Sequence, residues 1–161
     1  MQPSAPSRSS APRLSADRWA DNRIGDCDAE SKPRHPVLTY QDIAAAHDFL
    51  VRAFGFTAGG VHRADDGQVV HGEVRVGDAP IWLHRVTAEH GQDSPRTVDV
   101  ANSGLVVFVD DVDTHYRRAC EAGAKVDGDP IDQPYGQREY GARDIEGHRW
   151  WFAAPVARAA Q

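Results

Sequence analysis

The chemistry in this sequence sits in two tryptophans, a group of histidines and a few carboxylates spaced as strands space them. In VVHGEVRV (69–76), alternation puts Val70, Val74 and Val76 on one side and His71, Glu73 and Arg75 on the other. In APIWLHRV (79–86), Trp82 and His84 share a side. In HRWWFAA (148–154) two adjacent tryptophans point opposite ways. Trp150 and Phe152 can fill a core, while Trp151 and Arg149 face elsewhere. Imidazoles beside carboxylates could hold a divalent metal, or move a proton if Glu73 or Glu139 had a raised pKa. An indole does different work. It offers a broad apolar plane and one N–H donor, which suits it to an aromatic or heterocyclic ring.

The elements that must position these residues are regular from His35 onward. HPVLTYQ (35–41) predicts a strand and DIAAAHDFLVRAFG (42–55) a helix, with Asp42 as N-cap and Gly55 as its stop. Strands follow at 59–64, 69–76 and 79–86, the first two joined by a turn at Asp66-Gly67. A polar linker is expected over 87–102. The order then repeats: a strand at 104–110, a helix at 111–124, a weak strand at 124–131 broken by Pro130, and strands at 136–144 and 148–154. In 104–110, Val106 and Phe108 share a side with Gly104. In 136–144, Gln137, Glu139 and Arg143 share one side if Tyr140 and Ala142 pack inward. The two halves match at an offset of 69 residues, pairing Leu38 with Val107, Asp42 with Asp111 and Trp82 with Trp151. The pattern is an internal duplication of a βαβββ unit.

Residues 1–34 differ from the rest. They are rich in Ser, Pro, Ala, Arg and Asp, with little apolar surface to offset the entropy of ordering. A disordered or loosely docked tail is expected there, with Trp19 and Ile24 able to pin part of it. A short C-terminal tail is expected at 155–161. The net charge of −6 and a pI near 5.7 argue against a nucleic-acid partner. No run approaches the apolar length of a membrane span, and the start lacks the apolar stretch of a secretory signal. Cys27 and Cys120 make neither a disulfide framework nor a metal spacing, and read as free thiols of a reducing cytoplasm. There is no GxSxG elbow and no glycine-rich phosphate loop.

With the duplication in view, the closing stretch YGQREYGARDIEGHRWWF resembles that of the vicinal oxygen chelate superfamily, in particular the glyoxalase/bleomycin-resistance type. The resemblance covers about 36–154, with Ile145 standing where the family turn usually has proline. It implies an α+β fold: two tandem βαβββ modules (35–86 and 103–154) form a curved eight-stranded mixed sheet around a cleft, with helices on the outer face. It also implies a homodimer, in some relatives with clefts built from modules of two chains. The metal enzymes of the superfamily take ligands at four positions, which fall here on His35, Trp82, Gly104 and Trp151. Three of these cannot bind a metal, so no metal and no cofactor are expected. The cleft residues expected are His35, His71, Glu73, Arg75, Trp82, His84, Phe108, Glu139, Arg149 and Trp151. His47, His62 and His115 are expected on helices or on the opposite strand face, with no role. The function expected is metal-free sequestration of a small aromatic or heterocyclic compound, as in antibiotic resistance by a cytoplasmic binding protein. The alternative is a glyoxalase-like lyase, isomerase or dioxygenase with an altered site, whose catalytic residues the sequence does not name.

Overall fold

The computed structural model describes residues 34–156. The expected N-terminal tail with Trp19, Ile24 and Cys27, and most of the C-terminal tail, lie outside the described residues. The elements run β1 (Val37–Tyr40), α1 (Ile43–Phe54), β2 (Thr57–Arg63), β3 (Val69–Val76), β4 (Ala79–Arg85), a 3-10 turn (Ala88–His90), a short helix α2 (Pro95–Val98), β5 (Gly104–Phe108), α3 (Val112–Glu121), β6 (Lys125–Val126), β7 (Ile131–Asp132), β8 (Gln137–Arg143) and β9 (Arg149–Pro155). No helix among the described residues is long and apolar enough to cross a membrane.

Both long helices start as their sequence dictates. The Asp42 carboxylate accepts from the Ala45 N–H at 3.0 Å, and the Asp111 carboxylate from the Thr114 N–H at 2.9 Å. On α1 the residues Ile43, Ala46, Phe49, Leu50, Ala53 and Phe54 form one buried face. The expected linker is not plain loop. It holds the 3-10 turn and α2, whose N-cap Ser94 is fully buried. The weak strand expected at 124–131 is two short strands, β6 and β7, both paired with β8.

The strands lie in two sheets, ordered β1-β4-β3-β2 and β5-β9-β8-β6. The duplication is visible in the register. Val37 pairs with Trp82 in the parallel β1–β4 ladder, and Val106 pairs with Trp151 in the parallel β5–β9 ladder. This is the expected α+β fold of two βαβββ modules. Each sheet carries its helix on the face opposite its outward-pointing tryptophan.

One core joins the modules. Phe54, from the end of α1, meets Trp150 at 5.7 Å and Phe152 at 4.8 Å between ring centroids, and Phe56 meets Trp150 at 5.4 Å. Trp150 and Phe152 are fully buried, as alternation predicts. Burying each such ring contributes roughly 1.5–3 kcal/mol. His115 of α3 sits in this core, with Phe152 at 4.1 Å, the Tyr140 hydroxyl at 2.7 Å from Nδ1 and the Phe54 carbonyl at 3.0 Å from Nε2. The pattern fits a neutral ring that donates from Nε2 and accepts at Nδ1. Burial, first of all, pushes its pKa below the ordinary histidine value.

A second junction is polar. The β8–β9 turn buries two carboxylates. Asp144 accepts from the Tyr40 hydroxyl at 2.6 Å, the Trp150 indole at 3.1 Å and the Glu146 and His148 N–H groups at 3.0 Å. Glu146 accepts from the Gln41 and Asp42 N–H groups at 2.9 and 2.8 Å and from the Ser94 hydroxyl at 2.5 Å. His148 Nε2 reaches the Thr39 carbonyl at 2.9 Å. A turn of module two thus caps the backbone of module one between β1 and α1.

Candidate functional site

The outer face of the first sheet gathers six of the expected residues. His71, Glu73 and Arg75 come from β3, Trp82 and His84 from β4, and His35 from the approach to β1. The His35 ring lies 4.8 Å from the Trp82 ring, and His71 meets Trp82 edge-on at 5.6 Å. The Trp82 indole N–H donates to Glu73 at 3.2 Å, and Arg75 donates to the other Glu73 oxygen at 3.3 Å. The indole donor is therefore spent on a brace. What Trp82 has left to offer is its ring. Glu73 is likewise committed to an indole and a guanidinium, a poor arrangement for a general base. His71 titrates below the ordinary histidine value, mainly through desolvation and then through His84 and His62.

His62 belongs to this face, contrary to expectation. It pairs directly with His71, and the two rings lie 5.7 Å apart. The reason is irregular pairing in β2: the register shifts between Ala58 and Val61 and again between His62 and Arg63. Such a bulge breaks the simple alternation on which the face was assigned. His47 is buried on α1 and His115 lies in the core, so neither joins the face.

The outer face of the second sheet gathers the other four. Trp151 and Arg149 come from β9, Glu139 from β8 and Phe108 from β5. The Arg149 guanidinium lies 5.0 Å from the centre of the Trp151 ring and donates to Asp127 at 2.8 Å. Glu139 accepts from the Tyr135 hydroxyl at 2.6 Å. A hollow of about 210 Å³ runs beside Trp151 between Asp127, Ile131, Glu139 and Gly141. Val106 and Phe108 stand out from β5 with 56% and 58% of their surface exposed.

Two glycines make this seat. Gly104 is paired with Arg149 in the β5–β9 ladder, and a β-carbon there would collide with the Trp151 ring. Gly141 pairs with Trp151 itself, and a β-carbon there would collide with the Asp127 carboxylate. The sequence marks Gly104 only as a position unable to hold a metal. Its use is to let an indole lie flat across the strand.

The four positions that hold a metal in the enzymes this sequence resembles carry His35, two indoles and a glycine, and two of those three non-ligands are braced or fitted in place. Among the described residues no group of three or more His, Cys, Asp or Glu side chains is close enough to hold an ion. The residues present do not fit a metal at this site.

The hollows beside the two gathered groups are lined separately, one by His71 and His84 and the other by Glu139 and Trp151. Each group lies on the face of its sheet turned away from the common core. Hollows also lie apart from the indoles. One of about 430 Å³ borders the β8–β9 turn beside Arg96, Lys125 and Arg143, and there the Asp144 and Glu146 oxygens are already satisfied from within. One of about 320 Å³ lies at the end of the first face, beside His71, His84 and His90.

The family model described as the Glyoxalase/Bleomycin resistance protein/Dioxygenase superfamily matches residues 32–152. An uncharacterised protein of Mycobacterium bovis is 32% identical over 124 residues, which are 75% of this chain and 82% of that protein. Among solved structures, TioX from Micromonospora sp. ML1 is 34% identical, with a TM-score of 0.60 over 76% of this chain and 99% of that one. A glyoxalase-related enzyme from Clostridium phytofermentans has a TM-score of 0.63 at 17% identity, over 81% of this chain and all of that one, which is a likeness of fold.

Proposed function

The chain belongs to the glyoxalase/bleomycin resistance protein/dioxygenase superfamily, and from that premise we propose that it is a homodimeric binding protein that sequesters a small aromatic or heterocyclic compound between Trp82 of one protomer and Trp151 of its partner. The observation that carries the reading is the pair of outward, braced indoles at matching registers of the two sheets. An indole held by a fixed neighbour loses little freedom when a ring stacks on it. The charged side chains around each indole give the apolar plane a polar rim, the usual make-up of a small-molecule site.

The same geometry supports a homodimer. One chain offers two half-sites facing away from its core. The edge strands β1 and β5 have no partner on their outer sides among the described residues, and Val106 and Phe108 are exposed beside one of them. A two-fold dimer that sets the first module of one copy against the second module of the other would complete both clefts at once and continue each sheet into one of the partner's. Sequestration without turnover gives such a protein a role in resistance to a toxic ring compound.

The test is a mixing experiment on the full chain with quinoline as probe. W82A and W151A dimers are each prepared, titrated by fluorescence quenching of the remaining tryptophans, then unfolded together and refolded as a mixture. Each parent variant should bind quinoline weakly. The mixture should regain high-affinity binding in about half of its dimers, because a mixed dimer carries one intact pair of indoles. No recovery on mixing, with both parents folded and dimeric, overturns the shared cleft. Undiminished binding by both parents overturns the role of the indoles.

A further inference from the structure

The outer face of the first sheet carries more rings than one small ring can cover. His62, His71 and His84 lie side by side on β2, β3 and β4, since His62 pairs with His71 and His71 with His84. Their ring centroids are 5.7 and 5.1 Å apart. Trp82 flanks the row, 5.6 Å from His71 and 6.2 Å from His84. Neighbouring strands are about 4.8 Å apart, so three in a row span roughly 10 Å of sheet. That is the length of a linear three-ring aromatic.

The row is not built to hold a metal, because no three ligating groups converge on one point among the described residues. It is built as a packed surface. Adjacent rings meet at 37° and 66°, His71 meets Trp82 at 81° and Trp82 runs near-parallel to His84 at 15°, so the surface mixes ring faces with ring edges. A flat π system can accept both, by offset stacking on the faces and by contact with the positive edges. The central imidazole of the row titrates below the ordinary histidine value, through desolvation first and then through His84 and His62.

We propose that this row selects a fused planar system of three rings lying across the strands, with one end against Trp82 and His84 and the other over His62. The proposal rests on the reading that the Trp82 face holds a ring compound, and it adds both the extent of that compound and the role of His62. His62 is exposed on the edge strand, so its exchange perturbs no core packing.

The experiment titrates the full chain at pH 7.5 with pyridine, quinoline and acridine, following tryptophan fluorescence. Affinity should climb with ring number. His62→Ala should weaken acridine about threefold to tenfold, the size of one lost ring contact, and should collapse the preference for acridine over quinoline. His62→Phe, which keeps a ring there, should restore that preference. Acridine no tighter than quinoline, or equal losses for both in His62→Ala, overturns the three-ring reading while leaving Trp82 as a ring site. If none of the three probes binds, the ring-binding reading itself fails.

Discussion

Trp151 lies across Gly104 because Gly104 has no β-carbon to oppose it. The two residues sit on neighbouring strands of the second sheet, and the indole uses the space that any other residue at 104 would fill. Gly104→Val should therefore tilt the indole off its seat without unfolding the domain. Quinoline affinity should fall about tenfold, near the upper end of what one stacked aromatic pair contributes. Calorimetry with the probe, beside a thermal melt, checks it. Unchanged affinity in a folded Gly104→Val protein would show that Trp151 is not part of the ring seat.

Phe108 offers a test of assembly separate from the indoles. Its side chain is exposed on β5, the edge strand that a second copy would approach in the proposed dimer. Phe108→Glu should convert a dimer to a monomer in sedimentation velocity and lower quinoline binding in parallel, with no loss of far-ultraviolet circular dichroism. A variant that stays dimeric and keeps its affinity sinks the shared-cleft arrangement.

The carboxylate of Glu146 accepts from two backbone N–H groups of module one and from a buried serine. Glu146→Ala strands those donors, at a cost of about 1–3 kcal/mol for each that water cannot reach. A loss of about 3 kcal/mol in urea unfolding is expected, with the larger share from the buried Ser94 hydroxyl. A loss below about 0.5 kcal/mol would mean that the turn does not fasten the modules.

Acid should weaken the fold through two histidines. Desolvation lowers the pKa of both His115 and His71 in the folded chain. In the unfolded chain both titrate near the ordinary value of 6.5, so there the unfolded state binds more protons. Their contribution is whole above that value and is lost as pH falls below it towards the folded pKa values. The urea midpoint should be flat from pH 8 to 7 and decline below pH 6.5, and His115→Phe should shallow the decline. A wild-type midpoint that holds down to pH 5 contradicts the assignment.

The donor set also makes a forecast about metals. Purified protein incubated with Ni²⁺, Zn²⁺, Fe²⁺ or Mn²⁺ and then desalted should retain none in stoichiometric amount. One tightly held ion per chain would overturn the reading of Trp82, Gly104 and Trp151 and turn attention to His35, His71, His84 and Glu73.

Much of the fold could be read from the chain because its signals are local. Alternation over 69–76 gives β3 to the residue, and the Asp42 and Asp111 caps mark where both helices begin. The offset of 69 survives as matching ladder registers at Trp82 and Trp151. The site was harder where the geometry is not periodic. The place of His62 escapes a pattern of period two because the pairing of β2 is irregular. The knot at Asp144 and Glu146 joins residues about a hundred positions apart, and RDIEGH reads from sequence only as a turn. The brace from Trp82 to Glu73 depends on which residue stands opposite the tryptophan across β3 and β4. The second module puts Gly141 at the equivalent place, so duplication alone does not foretell it.

The buried turn that ties module two to β1 and α1 has a consequence for choice of ligand. Tyr40, Gln41 and Asp42 are all fastened to it, so each chain of the proposed dimer would act as a stiff caliper arm. The width of a jaw closed between two such arms would then be a gauge cut at assembly rather than an adjustable grip. A molecule as thin as a flat ring would pass it, and one with a puckered or bulky centre would enter only by forcing the arms apart.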